Sequence, residues 1–473
     1  MGDIIFMERR KFTQLLIWGL WGAVASCSAA QRSPSNPTVS SKRPLKIWWQ
    51  EGFYPEEIDA LNQIVEQWKT QSSVEVELTV IPQKDILTAL ERALGSSDAA
   101  EEIPDVFYSG VADLTTIPRL AWDGELVDVS DIIQSVQDYY KSDVLEGVNY
   151  QNKATGRRSY YAVPLMQSAI HIHYWEDLLI NAVGERRITI PKNWRSFWDF
   201  WQEVHPVLQT GQDSNIYGVG MPMSLSLDTY NNFEQFLEAH NVRILDEAGN
   251  LVLGAQSSDT GVSNRAALIQ ALEDYTRFFK NGTVPPDSID WDNTGNNVSL
   301  LSRKSLMTVN HTLSAPGSQR SDEETYYKKL ATVEWPSKPD GSSMRYVVEL
   351  KQAFILAQSI QQETAKEFLA FLAQPKNLLA YTKGAQGRYL PVMPELFADP
   401  FWQDKRDTHI SVAVKQLQNT RPAYQVLNPA YGEVAAQNVW GQVIRKIALD
   451  ELDASAAADE AIMAIQQIFD TWQ

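Results

Sequence analysis

From Leu45 onward the spacing of apolar positions alternates between two periods. Leu45-Lys46-Ile47-Trp48-Trp49 reads as a short strand. Pro55 then starts a helix with Glu56 and Glu57 in its first turn, where the helix dipole favours acids. Ile58, Leu61, Val65 and Trp68 recur on one face at helical spacing. Residues 74–81 alternate apolar and polar as a half-buried strand does, and a second helix follows through Ile86, Leu87, Leu90 and Leu94, with Gly95 placed to end it. Pro104 to Tyr108 is a third strand. Strand, helix, strand, helix, strand at these lengths predicts parallel pairing through right-handed crossovers. The chain therefore opens as an α/β sheet.

The pattern changes further along, without a clean linker. Residues 160–164 are extended and 170–174 alternate; helices are expected around 194–207, 232–240 and 265–280, the last with Leu268, Leu272, Tyr275 and Phe279 near one face. Strands are expected at 306–309, 330–335 and 353–356, a helix at 364–372, and helix almost throughout from Trp402. The indole side chains of Trp68, Trp194, Trp198 and Trp201 fall in helical periods and read as packing. No internal repeat is found, and no long low-complexity segment follows residue 44.

The N-terminus changes the picture. Arg9, Arg10 and Lys11 precede an apolar run from Leu15 to Ala25, a length that suits a signal-peptide core better than a membrane-spanning helix. Val24-Ala25-Ser26-Cys27 resembles the bacterial lipobox, which implies cleavage before Cys27, the only cysteine, and its lipidation. Both twin-arginine and ordinary secretion fit the basic patch, and either Met1 or Met7 serves as a start. Residues 1–26 are thus expected to be a signal peptide and 27–44, rich in Ser and Pro, a lipidated tether. The localisation expected is the periplasm or the cell surface, on a bacterial membrane. With its one thiol lipidated the protein forms no disulfide, so its stability rests on its core.

The remaining length exceeds what one core usually serves, so two domains are expected. A net charge of −18 opposes binding to nucleic acid and anionic lipid heads, and serves solubility. No phosphate loop, dinucleotide fingerprint, HExxH or GxSxG motif occurs. His171 and His173 share a strand face, but with six histidines in the chain and no evident third ligand a pair of satisfied core histidines is the better reading. No cofactor or metal is expected.

Several short segments, in order, resemble the sugar-binding family of extracellular solute-binding proteins of ABC importers, typified by maltose-binding protein. They are Pro104-Asp105-Val106 with Leu120 to Leu126, Tyr161-Ala162-Val163-Pro164, His173 to Leu178, Pro191 to Phe197, Lys304 to Asn310, Lys366 to Leu369, and Gly387 to Pro391. The resemblance implies a two-lobed α/β periplasmic-binding-protein fold, type II-like, with a helical C-terminal region and several chain crossings. Lobe one would take 45–164 and 345–386, and lobe two 168–338 and 390–473. A sugar or oligosaccharide would bind between the lobes and pass to the permease transmembrane subunits. The protein would be a monomer and not an enzyme. Trp175, Glu349-Leu350 and His311 depart from the family pattern, which bears on the identity of the sugar rather than on the fold.

Sugars present a polar rim and apolar faces, so their sites combine directed hydrogen bonds with aromatic surfaces. Trp49, Glu51, Tyr54 and Ser109 lie at strand ends, at the carboxyl edge where α/β sheets bind ligands. Gln167, Asn310, His311, Glu349 and Arg388 fall at the crossings or on the cleft-lining segments that the resemblance implies. Trp291 and Tyr431 are candidate stacking platforms. Two alternatives stay open: a non-sugar solute on the same fold, and a secreted glycosidase using a carboxylate pair such as Glu51 and Glu349.

Overall fold

The computed structural model describes residues 43–96, 102–184, 188–210, 215–254 and 263–472; the signal peptide, Cys27 and the tether up to residue 42 lie outside these. Strand β1 (Leu45–Gln50) leads through the helix Pro55–Ser72 to β2 (Val76–Ile81), and through the helix Gln83–Leu94 towards β3 (Val106–Tyr108). Both β2 and β3 pair parallel to β1, as the alternation of periods predicts. Pro55 occupies the first helical turn and Leu61, Ile64, Val65 and Trp68 are buried. Glu57 departs from expectation: it is buried, its carboxylate accepting the Phe53 N–H. Gly95 ends its helix in a right-handed conformation rather than the left-handed one glycine usually supplies there.

After the hairpin of β4 (Asn149–Asn152) and β5 (Arg157–Tyr160) come β6 (Val163–Ser168), β7 (His171–Trp175), β8 (Tyr217–Gly220), β9 (Ser305–Asn310) and β10 (Leu330–Val333). They are followed by β11 (Tyr346–Ile355), β12 (Leu390–Pro391) and β13 (Thr420–Pro422). One sheet has the order β12-β6-β11-β3-β1-β2, with β13 also paired to β11; the other has the order β10-β7-β9-β8.

The buried apolar side chains fall into two separate clusters, one for each sheet, and these make the two lobes. The first gathers residues such as Ile47, Trp68, Phe107, Phe354 and Phe368; the second gathers Trp194, Trp198, Trp201, Phe236, Trp335 and the C-terminal helices. Strand β11 passes from one to the other: Tyr346 and Val348 pack in the second cluster, while Leu350 and Ala353 to Ile355 pack in the first. The chain crosses again at Ser168–His171, between β6 and β7. Near β12, Leu390 packs in the second cluster while Tyr389 and Val392 pack in the first. Among the described residues no helix is long and apolar enough to cross a membrane.

Candidate functional site

The crossings matter because they bring strand ends of both sheets to one cavity of about 580 Å³. From the first lobe it is lined by Phe53, by the start of the helix Gln83–Leu94 through Gln83 and Lys84, and by Gly110 and Val111 after β3. From the second it is lined by Asp228 and Asn231 of the helix Leu227–Ala239, by Asp292 to Thr294, and by Asn310 to Thr312 at the end of β9. Glu349 and Lys351 of β11, with Arg388 and Tyr389 beside β12, form its floor. Residues two apart on a strand share a face, which is why Glu349 and Lys351 both point here while Leu350 packs into the apolar core.

The floor is a buried charge cluster. The Lys351 ammonium donates to Glu349 Oε2 at 2.6 Å and lies 3.6 Å from Asp113 Oδ2; His311 Nδ1 stands 3.2 Å from the same Glu349 oxygen. Burial pushes the Glu349 carboxyl up, but His311 and Lys351 outweigh it and hold it below its ordinary value. Asp113, with one oxygen unpartnered, is pushed up by burial against the pull of Lys351. On the opposite wall burial drives Asp228 up to about 8, helped by the charges of Glu349 and Asp292, and its Oδ2 has no partner. The Arg388 guanidinium lies between two aromatic faces, 4.9 Å from the Phe53 ring centre and 4.7 Å from that of Tyr389. Asn310 Nδ2 donates to Asn297 Oδ1 at 2.8 Å and to Ser314 Oγ at 3.0 Å.

Of the eleven solute-binding residues expected from sequence, the structure brings four to this cavity: Asn310, His311, Glu349 and Arg388. The other seven do not line it. Trp49 is wholly buried, stacked on Tyr108 at 4.3 Å, with its indole N–H donating to the Tyr381 hydroxyl at 2.7 Å. Ser109 donates its hydroxyl to Gln50, and Gln167 donates to the Pro391 carbonyl. Tyr431 is buried beneath the second lobe's helices, donating to Glu234 and accepting from Trp440. Trp291 packs against Gly295, leaving its neighbours Asp292 to Thr294 to face the cavity. Glu51 is exposed and is not among the residues that line the cavity, whereas Glu349 is. Tyr54 reaches past the cavity to donate to the Ser314 carbonyl at 2.9 Å, a hydrogen bond from the loop after β1 to the turn after β9.

Sequence reasoning missed Phe53, Asp228, Asn231, Lys351 and Tyr389. Two had a readable signal: Lys351 follows Glu349 at strand period, and Ser226 with Thr229 marks a helix start that puts Asp228 in the first turn, Ser226 accepting from the Thr229 N–H.

A model of the family described as bacterial extracellular solute-binding protein matches residues 63–409. Comparison with curated proteins gives no match. Among solved structures, an ABC transporter solute-binding protein from Thermotoga lettingae bound to α-D-tagatose superimposes with a TM-score of 0.71 at 16% identity, covering 90% of this chain and 100% of that one. The maltose-bound MalE3 of T. maritima gives 0.68 at 19% identity, covering 89% and 99%. UgpB from Mycobacterium tuberculosis, in complex with glycerophosphocholine, gives 0.69 at 18% identity, covering 91% and 99%.

Proposed function

The chain belongs to the bacterial extracellular solute-binding protein family, and from that membership we propose that it captures a sugar or oligosaccharide between its lobes and delivers it to the transmembrane subunits of an ABC permease. The observation that carries this reading is the cavity of about 580 Å³ lined by polar side chains from both lobes. That volume lies within the roughly 300–1,000 Å³ of small-molecule sites. Phe53, 44% exposed at the rim, offers an apolar face to a sugar ring, and Asn310, His311, Asp228 and Asn231 offer hydrogen bonds to hydroxyls. The neighbours that hold tagatose and maltose agree with a polyhydroxylated solute.

In this reading the lobes divide as 45–164 with 345–386 and 168–338 with 390–473, except that Tyr346 and Val348 pack with the second lobe and Val392 with the first, and a bound solute stabilises their closed arrangement. The protein acts as a monomer in the periplasm or at the cell surface. Cys27, behind the signal peptide 1–26, carries acyl chains, and the segment 27–44 tethers the binding body near its permease. No bond is made or broken.

A thermal-shift titration against neutral sugars, polyols, sugar acids and sugar phosphates tests the reading. A solute bound only by the folded protein adds about 2.7 kcal/mol of stability at a hundredfold excess over Kd. A saturable shift without product supports capture; no shift with any of these compounds contradicts it.

A further inference from the structure

Arg388 is 9% exposed, and its Nε is buried with no hydrogen-bond partner. Among the described residues the guanidinium makes no ion pair; its neighbours are the faces of Phe53 and Tyr389. A buried guanidinium without a counter-charge is costly, and proteins usually match one with a carboxylate or a phosphate. The carboxylate that acts most on it is Glu57, but the Glu57 oxygens accept from the Phe53 N–H at 3.1 Å and the Tyr381 hydroxyl at 3.4 Å. Burial pushes the Glu57 carboxyl up, against the pull of Arg388 and of its two hydrogen bonds. The other cavity cation of the floor, Lys351, is already matched by Glu349. Lys84, which also lines the cavity, is exposed to solvent, so Arg388 stands as the buried cation of the cavity wall whose partner has to come from the cavity.

Building on the sugar-capture reading, we propose that the solute is a sugar derivative bearing an oxyanion, a carboxylate or a phosphate, held by the Arg388 guanidinium between Phe53 and Tyr389, with its hydroxyls directed to Asp228. Asp228 lines the same cavity and has a free buried oxygen. Burial raises its pKa to about 8, which favours the protonated carboxyl at neutral pH, so it meets a hydroxyl without repelling an anion. An ammonium-bearing sugar would instead bring a second positive charge beside Arg388 and leave that guanidinium unmatched.

The test is calorimetric titration of the protein with matched sets on gluco-, galacto- and manno-configured rings. Each set contains the neutral sugar, the uronic acid, the 6-phosphate and the 2-amino sugar, all at one ionic strength. On at least one ring the acid or the phosphate should bind tenfold or more tighter than the neutral sugar, and which of the two does so identifies the oxyanion. Arg388→Gln should weaken the anionic member by about tenfold to a hundredfold while changing the neutral one much less; Arg388→Lys should recover part of the loss. If Arg388→Gln does not fold, by circular dichroism, the ratio of acid to neutral affinity in the unaltered protein decides alone. Neutral or amino sugars binding as tightly as their acids would overturn the oxyanion and leave sugar capture standing. An absence of binding to every member would overturn sugar capture itself, and this inference with it.

Discussion

Replacing Lys351 by methionine removes the one ammonium from a set of three buried charges and keeps nearly the same shape. The ammonium lies 2.6 Å from Glu349 and 3.6 Å from Asp113, and all three side chains are at most 6% exposed. Taking away one member of a buried ion pair costs about 3–5 kcal/mol, because the remaining charge is left without compensation. Glu349 would keep only His311 at 3.2 Å, and Asp113, already pushed up by burial, would lose the cation that holds it down. Lys351→Met should therefore lose at least about 3 kcal/mol. The triple variant Asp113→Asn, Glu349→Gln, Lys351→Met removes all three of these charges and leaves His311 free to stay neutral; it should return to within about 1 kcal/mol of the original, since neutral replacements of buried ion pairs are often tolerated. Urea unfolding followed by tryptophan fluorescence gives the comparison. The pH dependence adds a sign. Glu349 is held below its ordinary value, so the stability it contributes is present above about pH 4.5 and is lost as pH falls towards its folded-state value. The penalty of Lys351→Met should accordingly shrink in acid, as the stranded carboxylates protonate. A loss below 1 kcal/mol for the single variant, or a triple variant as unstable as the single, would refute the charge-cluster reasoning.

Three further outcomes are expected. Asp228 is raised from its unfolded value to about 8, so its favourable contribution exists below about pH 4 and disappears as pH climbs to 8; the advantage in Tm of Asp228→Asn over the original should grow across that range and level off above it. His171 is buried beside Gln416 and pushed down to about 3, so its stability is intact above pH 6.5 and declines below; His171→Gln should gain relative to the original as pH falls from 6.5, and a pH-independent Tm difference would count against burial of a neutral imidazole. A methyl on Gly317 would sit 2.4 Å from the Tyr54 hydroxyl, so Gly317→Ala should break the Tyr54–Ser314 bond; Tyr54→Phe alone should cost about 0.5–1.5 kcal/mol, and the double variant should be milder than the sum of the two.

The fold was legible because period is a local property. The parallel trio of strands 45–50, 76–81 and 106–108 needed only alternation, helix spacing and the length of the connections. The site was legible only where a residue's role follows from its strand. Glu349 and Asn310 sit on central strands of the two sheets, which fixes the side they face. Trp49 misled because a tryptophan at a strand end has two possible partners, a ligand or the core. The choice was made by Tyr108 and by Tyr381, the latter 332 residues away in sequence. Phe53 and Tyr54 show the same limit inside one loop: which of two adjacent rings faces the cavity depends on Arg388 and Ser314, both remote in sequence. Asp228 was hidden by a helix boundary set a turn too late.

The most direct test of the central claim is a crystal structure of the protein with the tightest-binding solute from the titrations. Electron density is expected for one solute in the cavity between the lobes, within hydrogen-bond distance of the Arg388 guanidinium and of side chains from both sheets, Asn310 or His311 on one and Glu349 or Lys351 on the other. Density at another surface, with this cavity holding only water, would contradict it.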